Sequence, residues 1–299
     1  MRRGAVLIAL TVAVLATGAC TSEPSGPAVP PTAAPPTATP TTAAPEPEPE
    51  PFDPRSIDLA DAVWTAADVW HEPETVQLVD GEATGERAGP GRYLTDVEEV
   101  LYVDLDGDEH QDVLAPLTFE AETSGEDEPS ASTSWFAWLN DGERLTQYPF
   151  PVATSGECST QVRQISPALS GIGVRITEAQ MPWQSGCADG ATIEVTRMVR
   201  IERDDAGTPW LVQTDPFPSW GGACLPMSGP GENPDEVSVA PGLEAASPEV
   251  PPVIVATGLE DETSDGSWMS ASVEGWDFVT YVQDQDPDFV SHCGWTPER

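Results

Sequence analysis

Trp135-Phe136-Ala137-Trp138-Leu139-Asn140-Asp141-Gly142-Glu143-Arg144-Leu145-Thr146-Gln147-Tyr148 is the stretch on which the fold turns. Two runs of β-forming residues, 135–139 and 145–148, flank Asn140-Asp141-Gly142, and Asp-Gly accepts the positive φ that a tight hairpin demands. Asp204-Asp205-Ala206-Gly207 stands in the same relation to Val199–Ile201 and Trp210–Val212. Outward from these turns the hydrophobic period stays at two. It marks candidate strands at 75–79, 98–103, 112–119, 133–140, 144–150, 160–165, 173–178, 192–202, 209–213, 253–257 and 276–283. Only the segment from Ile57 to Trp70 differs: Leu59, Val63, Trp64 and Ala67 share one helical face, and Ser56 is placed to cap it. The expected fold is mostly β, an antiparallel sandwich or twisted sheet with one short N-terminal helix.

Charge excludes some functions. The net charge is −39, and the 12 basic residues are all arginine. A GC-rich genome or adaptation to high salt accounts for the missing lysines, with codon bias the preferred reading. A surface this negative repels phosphate, so nucleic acid is not an expected partner. Without lysine there is no phosphate-binding P-loop and no Schiff-base nucleophile, and His71, His110 and His292 form no zinc spacing.

At the start, Met1-Arg2-Arg3 precedes an apolar, small-residue run from Gly4 to Thr17. That run is short of the ~20 residues a membrane span needs but suits a signal-peptide core. It ends at Ala16-Thr17-Gly18-Ala19-Cys20, which resembles the signal peptides of bacterial lipoproteins, although Thr17 stands where a larger aliphatic residue is usual. The resemblance implies that residues 1–19 are removed, that Cys20 is lipidated, and that the chain is lipid-anchored on the extracytoplasmic side of the cell membrane.

Residues 20–54 are then a lipidated cysteine followed by a Pro/Thr/Glu-rich disordered linker, closing on Pro45-Glu46-Pro47-Glu48-Pro49-Glu50-Pro51. At about 3.1 Å per residue this linker reaches on the order of 100 Å, enough to lift a domain into a cell wall. Residues 55–299 form the β-rich exported domain, with a long Pro- and Gly-rich loop at 226–252.

Five cysteines become an even set once Cys20 carries lipid, leaving Cys158, Cys187, Cys224 and Cys293 in an oxidising compartment. Four cysteines allow three pairings; nearest-neighbour pairing, Cys158 with Cys187 and Cys224 with Cys293, is the reading taken here.

The densest chemistry lies in Asp104-Leu105-Asp106-Gly107-Asp108-Glu109-His110-Gln111-Asp112. Carboxylates at positions one, three, five and nine of a tight loop converge on one point, as a hard cation such as Ca2+ requires. It is not an EF-hand: the twelfth position is Ala115, and both flanks read as strands. The loop resembles the strand-loop-strand calcium loops of FG-GAP and VCBS-type repeats, Asp-x-Asp-Gly-Asp-Gly-x-x-Asp. That resemblance implies Asp104, Asp106, Asp108 and Asp112 as ligands, with a backbone carbonyl near His110, and a structural Ca2+. Glu109 stands where those loops have glycine, a position of positive φ that is costly for Glu. Asp284, Asp286 and Asp288 repeat the alternation, but Pro287 stiffens them.

Trp135 points to the opposite face from Phe136 and Trp138, so either both faces are covered or one is an aromatic platform suited to sugars. Three functions stay open: a non-enzymatic binding or structural lipoprotein module with one calcium loop, an envelope glycan hydrolase using paired carboxylates, and a protein-binding or inhibitory module. Partners are the membrane through the lipid anchor and either cell-wall glycan or an envelope protein. Glu194 and Glu274 are the carboxylates in apolar surroundings that a hydrolase would draw on.

Overall fold

Two long strands, Ala131–Asn140 and Leu145–Gly156, meet at the Asn140-Asp141-Gly142 turn. Gly142 takes φ +86°, and side chains close the loop: Asn140 Oδ1 accepts from Gly142 N, and Asp141 Oδ1 accepts from the amides of Glu143 and Arg144. The second hairpin, Ile193–Arg203 with Pro209–Asp215, turns at Gly207, where φ is +81°. Asp204 Oδ1 accepts there from Ala206 N and Thr208 N. Short Asp and Asn side chains that satisfy the turn amides, with a glycine at positive φ, are what each sequence signal consisted of.

The computed structural model describes residues 52–66, 73–86, 89–122, 130–156, 160–181, 187–204, 206–216, 218–220, 237–239, 254–261, 276–282 and 292–297. Residues 1–48 and 49–299 are separate units, and all described residues belong to the second. The expected signal peptide, Cys20, the linker up to Pro51, Cys158, Cys224, Glu274 and the Asp284, Asp286 and Asp288 triplet lie outside the described residues, as does the Cys187 side chain.

In chain order the strands begin with β1 (Val63–Ala66), β2 (Glu74–Gln77), β3 (Glu82–Gly85), β4 (Gly91–Leu94), β5 (Leu101–Val103) and β6 (Asp112–Ala121). Next come β7 (Ala131–Asn140), β8 (Leu145–Gly156), β9 (Gln161–Pro167), β10 (Val174–Gln180), β11 (Ile193–Arg203) and β12 (Pro209–Asp215). The last are β13 (Ser219–Trp220), β14 (Val237–Val239), β15 (Ile254–Asp261), β16 (Trp276–Val282) and β17 (His292–Pro297). One sheet runs β3-β4-β6-β7-β8 with β5 on β6, a second runs β13-β12-β11-β10-β9, and a third runs β14-β15-β16-β17. Every strand pair is antiparallel, so the mostly β, antiparallel fold read from the sequence is the fold observed.

The first two sheets share a core. Val103, Leu114, Leu139, Tyr148 and Val152 meet Val174, Ile176, Val199, Ile201 and Leu211. The outer face of the first sheet is covered as well: Val113, Ala115, Leu117, Phe136 and Trp138 pack against Leu59, Trp64, Val76, Leu78 and Tyr93. Strand β6 is therefore buried on both faces from Asp112 to Leu117, which is why its sequence runs apolar instead of alternating. The inter-sheet core is not wholly apolar. Arg197 and Glu178 form an ion pair within it, and Arg197 Nη2 crosses to donate to Val152 O at 3.1 Å.

Among the described residues, 57–66, other elements stand where the N-terminal helix was expected. Pro54–Ser56 and Leu59–Asp61 are single 3-10 turns, and the chain then enters β1. Asp53 and Asp58 each cap their turn by accepting a backbone N–H two residues on, from Arg55 and Ala60, but Ile57 and Ala62 are extended, with ψ 135° and 161°, and end each turn after three residues. Trp64 and Ala66 then alternate inward as β1 pairs with β2, and Trp64 meets Phe136 and Trp138 edge-on at 6.2 and 5.3 Å. The expected strand at 98–103 also shortens: Val97–Glu99 is a 3-10 turn held by Asp96 Oδ1, and β5 follows it. Within the segment read as a long loop, Val237–Val239 pairs with β15. The third sheet contacts the second through Trp295 Nε1, which donates to Trp220 O at 2.6 Å.

Candidate metal centre

Pairing of Val103 with Asp112 closes the acidic stretch as the loop between β5 and β6. Leu105 anchors it: the side chain is 1% exposed in the inter-sheet core. Its backbone spans both sheets, since Leu105 O accepts from Ile201 N at 2.8 Å and Leu105 N donates to Asp112 Oδ2 at 2.6 Å. Beside it, Asp104 O accepts from Gly173 N at 2.7 Å. With Leu105 held inward, the side chains on either side of it collect together.

Asp104, Asp106 and Asp108 each offer a carboxylate oxygen, and these oxygens lie within 4.8 Å of one another. Asp104 shapes the loop, Oδ1 accepting from Gly107 N at 2.6 Å and Oδ2 from Glu109 N at 3.2 Å. Asp108 Oδ1 accepts from His110 N at 2.8 Å, and its Oδ2 lies 3.2 Å from His110 Nδ1. Asp106 is different. Its side chain is 3% exposed, Oδ2 accepts from Arg203 Nη2 at 3.0 Å, and Oδ1 is buried with no hydrogen-bond partner among the described residues.

Glu109 takes φ +71° and Gly107 φ +81°. The left-handed conformation expected of glycine at position six is thus adopted by Glu itself. It costs about 1–2 kcal/mol relative to a right-handed backbone.

Asp112 stands apart from the three. It is fully buried, and its oxygens accept from Leu105 N and from Asn140 N at 2.8 Å, so it braces the loop against β7. Burial pushes its carboxyl up to about 7, against the two amide bonds that favour the ionised form. Burial also raises Asp106, with Asp108 adding to the effect and Arg203 opposing it. His110 is raised chiefly by its hydrogen bond to Asp108. Three converging carboxylates, one with an orphaned buried oxygen, form a set of hard oxygen donors that can hold a metal ion.

Arg203 and Asn140 were not evident as part of this site from the sequence. Asn140 belongs to the hairpin turn, which carries its own explanation, and Arg203 lies in β11 with no local motif to join it to Asp106. Glu194 is exposed on β11.

A separate cleft of about 600 Å³ opens between β7 and β9. Trp135 lines it with Asp96, Glu99, Arg163 and Gln164, while Phe136 and Trp138 are buried on the opposite face. Both faces of the aromatic strand are therefore core: Ala137 and Leu139 lie in the inter-sheet core with Trp135 packed against it, and Trp135 also borders the cleft. Compared with protein families, curated proteins and solved structures, the chain matches none.

Proposed function

We propose that this protein is an exported, lipid-anchored β-module of the cell envelope, a non-enzymatic binding or structural unit whose acidic loop holds one Ca2+ ion. The observation that carries the metal assignment is Asp106 Oδ1, a buried carboxylate oxygen without a hydrogen-bond partner among the described residues, beside Asp104 and Asp108. Calcium suits the site because it takes six to eight oxygens from carboxylates, carbonyls and water. The left-handed Glu109 supports the likeness to Asp-x-Asp-Gly-Asp-Gly loops, in which that position is glycine. The anchor rests on Ala16–Cys20 and the linker after it. The proposed Cys224–Cys293 bridge rests on the even set of four cysteines left once Cys20 carries lipid, with Cys293 buried in the third sheet.

Thermal melting with and without millimolar calcium tests the metal: the melting temperature rises with calcium in the parent and not in Asp106→Ala or Asp108→Ala. No shift in the parent ends the assignment. Cys20→Ala tests the anchor by moving the chain out of the membrane fraction; an unchanged distribution removes it.

One observation favours a glycan ligand. Trp135 shares its cleft with two carboxylates and the planar polar groups of Arg163 and Gln164, a combination that suits stacking and hydrogen bonding of a sugar. Tryptophan fluorescence titrated with a soluble chitooligosaccharide should change in the parent and not in Trp135→Ala. Release of reducing ends from that oligosaccharide, lost in Glu99→Gln, would instead identify the hydrolase.

A further inference from the structure

We propose that Arg203 is a built-in counter-cation of the acidic loop and sets how tightly the loop takes a divalent cation. The inference rests on the metal reading above and adds to it a residue that lies outside the loop, on the other sheet.

Arg203 ends β11, two residues after Ile201, whose amide bonds to Leu105 O and lays the end of the strand along the loop. From there Nη2 reaches Asp106 Oδ2 at 3.0 Å, and Nη1 donates to Gly207 O at 3.4 Å in the following turn. The guanidinium is thus held by its own hairpin while it neutralises a carboxylate of the neighbouring sheet. Among the described residues it is the one arginine paired with Asp104, Asp106 or Asp108.

Asp106 explains why one exposed arginine matters. Its carboxylate is buried, so a charge beside it is poorly screened by solvent. Arg203 holds Oδ2 and leaves Oδ1 to the cluster. A divalent ion at the three carboxylates meets the arginine's positive charge a few ångströms away, and one of the Asp106 oxygens is already engaged. Without the guanidinium the cluster carries one more uncompensated negative charge and offers a second oxygen. The same change leaves Asp106 buried and unpaired in the ion-free state, which destabilises that state. Arg203 therefore stabilises the ion-free loop and weakens cation binding through one contact.

The test is calorimetric titration of the full-length chain with calcium chloride, comparing the parent with Arg203→Gln, Arg203→Met, Arg203→Lys and Asp106→Asn. Both neutral variants should bind roughly tenfold tighter, as removal of a unit charge near a divalent ion implies. They should also melt lower than the parent without calcium and show a larger calcium-induced rise. Arg203→Lys, which keeps the charge, should stay near the parent, and Asp106→Asn should lose binding. Unchanged or weaker binding in the neutral variants, with the parent still binding, overturns the role of Arg203 and leaves the metal site standing. Absence of binding in both the parent and the neutral variants overturns both. Binding in the neutral variants alone ends the assignment of calcium to the parent protein while supporting an arginine that opposes the cation. Failure of the neutral variants to fold even in millimolar calcium overturns the proposal, because a bound ion should replace the lost partner.

Discussion

Arg197 Nε lies 3.2 Å from Glu178 Oε2, with the two side chains 4% and 1% exposed between the sheets. Gln180 Nε2 donates to Glu178 Oε1 at 3.0 Å, so the carboxylate is held from two strands. Breaking such a pair on one side strands a charge in the core. Glu178→Gln should cost about 3–5 kcal/mol, whereas Glu178→Leu combined with Arg197→Met should recover most of the loss. Urea denaturation of the three proteins decides it; a double variant as unstable as the single one would mean that packing, not the stranded charge, sets the cost.

Asp112 makes a different prediction, because both its oxygens accept and an amide can offer only one acceptor there. Asp112→Asn should turn an N–H group toward Leu105 N or Asn140 N and cost about 2 kcal/mol. Asp108→Asn, at the surface of the same loop, should cost less than about 0.5 kcal/mol in calcium-free buffer. Equal effects would show that Asp112 braces nothing.

Glu109 carries the opposite sign from most substitutions. Glu109→Gly relieves the left-handed penalty and adds flexibility to the unfolded chain, for a net gain of about 0.5 kcal/mol. Glu109→Val should lose stability, since a β-branched residue tolerates positive φ least. Denaturant midpoints of the two variants on opposite sides of the parent are the expected result.

Tyr148 contributes to stability at alkaline pH. Its hydroxyl oxygen accepts from Leu211 N at 3.1 Å, and burial pushes the phenol up to about 12 from 10.0. The folded state keeps this proton where the unfolded state has lost it, so the contribution to stability is full below pH 10 and is lost as pH rises toward 12. Ultraviolet titration should show a tyrosine that ionises only as the protein unfolds, and that component should be missing in Tyr148→Phe. Its ionisation with the native signal intact would refute the burial.

The fold was legible wherever local chemistry and long-range pairing agreed. Asn140-Asp141-Gly142 and Asp204–Gly207 announce their hairpins because side chains within four residues satisfy the turn. β3 and β4 gave no such signal. Their inward positions include Gly85 and Gly91, which leave room for the rings of Tyr93 and Phe119, so no apolar alternation marks them. Ile57–Trp70 misled because Leu59, Val63, Trp64 and Ala67 fit a helical face, while the Asp58 turn and pairing with Glu74–Gln77 decide the outcome. In the acidic loop the spacing revealed Asp104, Asp106 and Asp108. It could not separate Asp112, whose partners are the loop's own Leu105 amide and an amide on another strand.

The chain enters the domain at the acidic end. Phe52 N donates to Gly142 O at 3.0 Å, Arg55 stacks on Tyr102 at 4.3 Å and bonds to Gln111 Oε1 at 2.7 Å, and the His110 ring lies against Gly142. Force applied through the residues preceding Phe52 is therefore borne first by contacts with the β7–β8 turn and the acidic loop. At that junction the acidic loop touches the incoming chain through Gln111, so a shift of the loop is passed on to residues 52–55.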